Sequence, residues 1–114
     1  MFKGQLRTQY NSNTKRRTLT QPLTWVDDRG IEYTVPAGFS TDLDSVPRIP
    51  LVYAYLKGRA TKAAVIHDWL YHNKHPRKAA DKVFLAAMKD EGIGMVRRNA
   101  IYRGVRLFGW LAYT

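Results

Sequence analysis

The sequence predicts an α+β fold in which an N-terminal β-hairpin or small antiparallel sheet packs on about three α-helices. Two alternating, Thr-containing segments, 18–26 and 31–35, flank the turn signal Asp27-Asp28-Arg29-Gly30, which is typical of a β-hairpin. Apolar residues then recur at helical spacing from residue 60 to residue 111. The strand signals precede the helix signals instead of alternating with them, and this order favours α+β over α/β.

Prolines and glycines set the expected bounds of these elements. Pro22 indicates that the first hairpin strand is an edge strand or begins after it. The three helices are predicted over 60–72, 76–91 and 95–111, and Gly92 stops the second.

The length of 114 residues favours a single domain. Pro47 and Pro50 exclude a continuous helix in the middle of the chain, although a short helix over 51–57 is compatible with them. The expected order is an arm or loop over 1–17, the β-hairpin over 18–38, a motif-bearing loop over 39–58 and the helical part over 59–114.

The chain is strongly basic and lacks cysteine. It has 19 Lys and Arg against 9 Asp and Glu, a formal net charge of +10. This charge suits nucleic acid, an anionic membrane or an acidic protein surface. The lack of cysteine excludes a disulfide scaffold, a Cys-ligated zinc site and a Cys nucleophile.

Membrane insertion and secretion are not expected. The charge-free runs 49–56 and 107–114 are far shorter than the about 20 apolar residues of a spanning helix. The first residues lack the apolar core of a signal peptide, so we expect synthesis in a cytoplasm.

Carboxylates near one histidine form the most informative cluster. His67 and Asp68 lie in an otherwise apolar helix, and the following turn is centred near residues 74–75. In an antiparallel helical hairpin, positions equally far from the turn lie at one level, so Asp81 should face His67 and Asp68. Tyr71 follows His67 by four residues and shares its helix face.

Three interpretations fit this arrangement. In the first, Asp81 orients His67 as a general base on water or on a hydroxyl, with Ser45 as a nucleophile or only a turn residue. In the second, a divalent cation (magnesium, manganese, calcium or zinc) is bound by Asp42, His67, Asp68 and Asp81. In the third, the carboxylates are structural and pair with Arg48 or with Arg97 and Arg98.

The remaining candidates are binding residues, namely Arg48, Tyr71, Arg103 and Arg106. Arg103 and Arg106 share a face of the last helix, which could bind phosphates or simply be solvated. No helix-turn-helix pattern, aromatic RNA-binding motif or glycine-rich phosphate loop is present, so nucleic acid is not an expected partner.

Several motifs resemble a small family of uncharacterised proteins of tailed bacteriophages and prophages, a domain of unknown function. Residues 36–48 resemble its PxGFxTDxxSVPR signature, residues 67–71 its HDxLY motif, and Asp81 its downstream aspartate. The final helix, 101–109, is similar to the end of the family pattern. The resemblance implies a phage source and a role in the virion or its assembly, but no reaction.

The order His67, Asp68, Tyr71, Asp81 is also similar to that in secreted phospholipases of the A-two type. In those enzymes the His is the base, the first Asp holds calcium and the second Asp orients the His. The present chain lacks their disulfides and their glycine-rich calcium loop, so we treat this similarity as an analogy.

Two functions follow as expectations. The first is a virion-associated protein, namely a tail, tail-tip or assembly component. Its basic surface would dock on an acidic surface of other phage structural proteins. The alternative is a small phage hydrolase, metal-assisted in one version, that acts on envelope or cell-wall material with His67 and Asp81. In either case we expect synthesis in the bacterial host cytoplasm and incorporation in the virion.

Overall fold

Six short strands form two antiparallel sheets in the N-terminal part of the chain. The structure, a computed structural model, describes residues 1–14, 16–41 and 61–108. The strands are β1 Phe2–Lys3, β2 Thr8–Asn11, β3 Arg16–Leu19, β4 Leu23–Val26, β5 Glu32–Val35 and β6 Ser40–Thr41. Their order is β1-β4-β5 in one sheet and β2-β3-β6 in the other.

The hairpin predicted around residues 27–30 is β4 and β5. β4 begins directly after Pro22, and Gly30 has the positive φ of 83° that the turn requires. In the register, Leu23 pairs with Val35 and Trp25 with Tyr33. The alternation therefore turns Leu23, Trp25 and Val35 toward the core, where they are 0–2% exposed.

The first 17 residues contain more strand than the arm or loop assigned to them from the sequence. β1 pairs with β4, and β2 pairs with β3. β6 then adds to β3 on its other side. Both β1–β4 and β3–β6 join segments distant in the chain, and short-range patterns carry no information about such pairs.

Three helices follow the strands within the described residues. Their bounds are α1 Thr61–His72, α2 Arg77–Asp90 and α3 Met95–Phe108. These bounds agree with the apolar spacing, because the buried side chains of α2 (Ala80, Asp81, Phe84, Ala87 and Met88) lie on one face. The predicted short helix over 51–57 lies outside the described residues.

Helix α2 ends at a glycine for a local reason. Gly92 has a φ of 87°, its N–H donates to the Lys89 carbonyl, and the Ile93 N–H donates to the Met88 carbonyl. This is a Schellman motif, which satisfies carbonyls that the end of the helix leaves unpaired. Ile93 is 3% exposed, so the motif also turns the chain back toward the core before α3.

The helices and the β4–β5 sheet share one core. α1 packs against both α2 and β5, and α3 packs against α2. Side chains from strands, such as Trp25, and from helices, such as Phe84 and Ile101, are each 2% exposed or less. The structure thus confirms the predicted α+β fold with small antiparallel sheets and three helices.

Candidate functional site

A buried carboxylate, Asp81, is the centre of a polar cluster between the three helices. Its side chain is fully buried, and it receives hydrogen bonds from residues of α1 and α3. The distance from His67 Nε2 to Asp81 Oδ1 is 2.7 Å, and the Tyr71 hydroxyl donates to the same oxygen at 2.5 Å. Arg106 Nη1 donates to Oδ2 at 2.7 Å. The structure therefore places Asp81 opposite His67, as the symmetry about the turn predicts.

The helical register explains why His67 and Tyr71 reach one oxygen. The two residues lie one turn apart on α1, and their ring centroids are 4.1 Å apart. Phe84, one turn after Asp81 on α2, stacks on the His67 ring with a centroid distance of 4.6 Å. The imidazole thus contacts two aromatic rings while its Nε2 is bonded to the carboxylate. Residue spacing on α2 could have identified Phe84, because it shares the face of Asp81.

The environment keeps Asp81 ionised. Burial alone raises the pKa of this carboxyl, but the hydrogen bonds from His67, Tyr71 and Arg106 outweigh it and hold the pKa below the ordinary value. Burial, and then the hydrogen bond and charge of Asp81, raise the pKa of Tyr71, so its phenol stays protonated and remains a donor. Asp81 accordingly accepts hydrogen bonds at neutral pH and does not donate them.

The negative charge of Asp81 determines which ring nitrogen carries the proton when His67 is neutral. A carboxylate at Nε2 requires that Nε2 carry the proton, which leaves the lone pair on Nδ1. The described residues provide no hydrogen-bond partner for Nδ1, and 10% of the His67 side chain is exposed. The ring therefore has one nitrogen anchored and one nitrogen able to accept a proton.

Arg106 is the cation that neutralises Asp81. Its side chain is 32% exposed, so the pair joins a buried carboxylate to a half-buried guanidinium. The structural interpretation of the sequence named Arg48, or Arg97 and Arg98, for this role. Arg48 lies outside the described residues, and Arg98 instead donates to the Ile93 carbonyl at 3.1 Å. Arg103, three residues earlier on the same helix, is exposed, whereas Arg106 is half-buried against Asp81.

Arg77, in the first turn of α2, joins this helix to the end of α3 beside the cluster. Its Nη2 donates to the carbonyls of Val105 and Arg106, in the last turn of α3. A cation at the carbonyl end of a helix interacts favourably with the helix dipole and satisfies free acceptors. Arg77 was not among the residues selected from the sequence, because nothing in its local pattern distinguishes it from the other cations of the chain.

The metal interpretation concerns residues that the structure describes only in part. Asp68 lies half-buried on α1, while Asp42 lies outside the described residues, as do Ser45 and Arg48. Across 1–14, 16–41 and 61–108, no three His, Asp or Glu side chains come together as ligands for a metal ion. The cation site and the Ser45 nucleophile stay predictions.

No helix in the described part of the chain has the length and apolar character needed to cross a membrane.

Comparison with known families matches residues 17–105 to a family model described as "Protein of unknown function (DUF1353)". The matched region contains His67, Tyr71 and Asp81, the residues of α1 and α2 that form the hydrogen bonds of the cluster. It ends one residue before Arg106. Neither the curated proteins nor the solved structures gave a match to the chain.

Proposed function

The chain belongs to the DUF1353 family, and we propose that it is a small hydrolase whose general base is His67, oriented by Asp81. The observation that carries this proposal is the 2.7 Å contact between His67 Nε2 and Asp81 Oδ1, with Nδ1 left as the proton acceptor. A carboxylate that fixes the tautomer of a histidine and stabilises its protonated form is the arrangement used in hydrolytic triads and dyads.

The proposed step is a hydrolysis assisted by one base. His67 Nδ1 removes a proton from water while the water oxygen attacks an acyl carbon of the substrate. The ionised Asp81 stabilises the imidazolium that forms, and the imidazolium then gives its proton to the leaving group as the bond to that group breaks. In one alternative, the Ser45 hydroxyl attacks the acyl carbon and gives its proton through His67 to the leaving group, and water then hydrolyses the acyl-Ser45 ester with His67 again as the base. In another alternative, Asp42 and Asp68 would hold a divalent cation, which would polarise the acyl oxygen during the attack of water.

The proposed substrates are envelope lipids or cell-wall material, and the proposed source is a tailed phage or prophage. Both rest on the motif resemblance. Two probes distinguish the substrates: vesicles of phosphatidylethanolamine and phosphatidylglycerol, assayed for released fatty acid, and purified peptidoglycan sacculi, assayed for soluble fragments. Each assay is run with and without added calcium, magnesium or zinc, so that the metal-assisted version is tested at the same time.

His67→Gln is the decisive variant. A glutamine amide can still donate to Asp81, so the fold is retained, but it has no lone pair of useful basicity at the position of Nδ1. We expect turnover to fall at least about 100-fold, the usual range for loss of a general base. His72→Gln, at the exposed end of α1, is the matched control and should keep the parent rate. Parent protein inactive on both probes, or full activity in His67→Gln, would contradict the proposal.

A second candidate function is a virion component that docks on an acidic partner, and the net charge of +10 favours it. The exposed cations Lys78 and Lys89 lie on α2, and the exposed Arg103 lies on α3. In this case the Asp81 cluster is an anchor that fixes α1 and α3 to α2. The two functions are compatible, because one chain can carry both.

The docking function is tested in particles. Virions of the encoding phage, purified by density gradient, should contain this chain in a fixed ratio to the major tail protein, and His67→Gln should be incorporated equally well. Absence of the chain from purified particles would contradict the docking function without affecting the hydrolase proposal.

A further inference from the structure

The outer side of α3 presents a row of side chains to solvent. Val96, Ala100, Arg103 and Leu107 follow one another at intervals of four, three and four residues, the spacing of the seam between two packed helices. All four are exposed; Val96 is 83% exposed and Leu107 is 67% exposed. We call these four residues the α3 seam.

The opposite side of α3 is already occupied. Ile101 and Val105, each 1% exposed, face the core, and α2 is the described element against which α3 mainly packs. A helix that is apolar on its core side needs no apolar residues on its outer side. Val96 and Leu107 are therefore unexplained by the packing of the described residues.

The charge on α3 indicates what the seam would accept. The helix contains four arginines and no acidic residue. Arg98 and Arg106 donate to the Ile93 carbonyl and to Asp81, whereas Arg103 has no ion-pair partner within the described ranges. Arg103 lies between Ala100 and Leu107, so a helix packed on the seam would cover its guanidinium. Covering a charge is unfavourable unless the partner supplies an opposite charge.

Two other occupants fit less well. A second copy of this chain would bring two Arg103 side chains within about one helical turn of each other, between two molecules of net charge +10. An anionic membrane surface favours a continuous apolar face of large side chains, and Arg103 interrupts this one at its centre. A carboxylate-bearing helix matches both the apolar ends and the charged middle.

We propose that the α3 seam docks an amphipathic helix of an acidic partner protein, with apolar side chains against Val96 and Leu107 and a carboxylate against Arg103. This inference rests on the docking function proposed above, for which it names the surface and the partner chemistry. It does not depend on any activity of His67.

A charge exchange tests the proposal. Two synthetic amphipathic helical peptides of about 20 residues, long enough to hold some helix in water, carry leucine at the seam positions and differ only in one central residue, glutamate or lysine. Binding is measured by fluorescence anisotropy. The parent protein should bind the glutamate peptide at least about tenfold more tightly than the lysine peptide, and Arg103→Glu should reverse this preference.

Lys82→Glu is the matched control, because it makes the same charge change at an exposed position on α2. It should leave the preference for the glutamate peptide unchanged. Leu107→Asp should weaken binding of both peptides, since it removes the apolar contact. Circular dichroism of each variant checks that the helices are retained.

Four results would overturn the proposal. The first is equal loss of binding in Lys82→Glu and Arg103→Glu, which indicates general attraction between charges. The second is failure of the parent protein to distinguish the peptides. The third is a dimer in sedimentation equilibrium that Leu107→Asp dissociates, which assigns the seam to a second copy. The fourth is binding to phosphatidylglycerol vesicles that Leu107→Asp abolishes, which assigns it to a membrane.

The same variant separates this inference from the docking function itself. If virions contain the parent chain and incorporate Arg103→Glu equally well, the docking function stands and the α3 seam is not the surface used. If virions lack the chain altogether, the docking function fails as well.

Discussion

Replacement of Asp81 by asparagine should destabilise the fold more than any conservative change at the surface. The substitution keeps the volume of the side chain but removes its charge and replaces one acceptor oxygen by an NH₂ group. The NH₂ group is itself a donor and cannot accept a hydrogen bond. It must face either Arg106 or the pair His67 and Tyr71, and the residues that it faces can no longer donate to this side chain. At least one of the three hydrogen bonds to Asp81 is therefore lost, and Arg106 loses its counter-charge.

The expected magnitude follows from the burial of the two partners. Removing one member of a fully buried ion pair costs about 3–5 kcal/mol. The Arg106 side chain is 32% exposed and can turn partly toward water, so we place the loss at about 3 kcal/mol, near the lower end of that range. With a urea slope of about 1.5 kcal/mol per M, the midpoint of unfolding should fall by about 2 M.

The assay is urea unfolding followed by tryptophan fluorescence, with circular dichroism as a second probe of the same transition. Asp28→Asn is the matched control, because Asp28 is exposed in the turn between β4 and β5. Its midpoint should stay within about 0.3 M of the parent value. If Asp81→Asn also stays within that limit, the hydrogen bonds around Asp81 contribute no net stability and the anchor role is wrong.

The pH dependence provides a second check on the same residue. The pKa of Asp81 is lower in the folded state than its ordinary value of 3.8, because hydrogen bonds from His67, Tyr71 and Arg106 outweigh the effect of burial. Such a carboxyl contributes stability that is present above pH 3.8 and is lost as the pH falls through the folded-state pKa. The difference in unfolding free energy between parent and Asp81→Asn should therefore be largest near neutral pH and shrink below about pH 4. A difference independent of pH would contradict this account.

Three further changes have expected outcomes. Tyr71→Phe removes one donor to Asp81 while His67 still bonds the same oxygen, so we expect a loss of about 1 kcal/mol in urea unfolding; a loss as large as that of Asp81→Asn would contradict this. Glu91→Ala removes the carboxylate that accepts hydrogen bonds from the backbone N–H groups of Lys62 and Ala63. The loss should cost about 1 kcal/mol and speed hydrogen exchange in the first turn of α1. Unchanged exchange there would exclude this capping role. In Gly92→Ala the added methyl group has no atom within 4 Å, but the alanine must adopt a φ of 87°, which costs about 1 kcal/mol. The melting temperature should fall by about 4 °C. An unchanged melting temperature would show that the turn relaxes.

Local patterns in the sequence predicted the elements that depend on neighbouring residues. The bounds of β4 and β5 follow from Pro22 and from the turn at Gly30, and apolar spacing predicted the three helices to within about three residues where the structure describes them. The motifs predicted a family of unknown function, and the family match confirms that coarser statement. The phage source and the virion role stay predictions.

The position of Asp81 opposite His67 was also predictable, because both residues lie at similar distances from one turn. Because the rise per residue of a helix is constant, equal spacing from the turn places the two residues at the same height along the helical hairpin. The rest of the chain is not needed for this inference. The same calculation could not select the cation. The chain has 19 Lys and Arg residues, and their positions along the sequence do not show which of them packs beside Asp81.

What the sequence by itself determined is therefore the β4–β5 hairpin, the three helices, the α+β class and the pair His67–Asp81. Only the tertiary structure decided that Arg106, and not Arg97 or Arg98, meets Asp81, that Phe84 stacks on His67, and that β1 and β6 complete the two sheets. The physical reason is that periodicity and turn signals act over a few residues, whereas these contacts depend on how α3 packs on α2 and on which distant strands pair. The same packing leaves Val96, Arg103 and Leu107 facing solvent on α3.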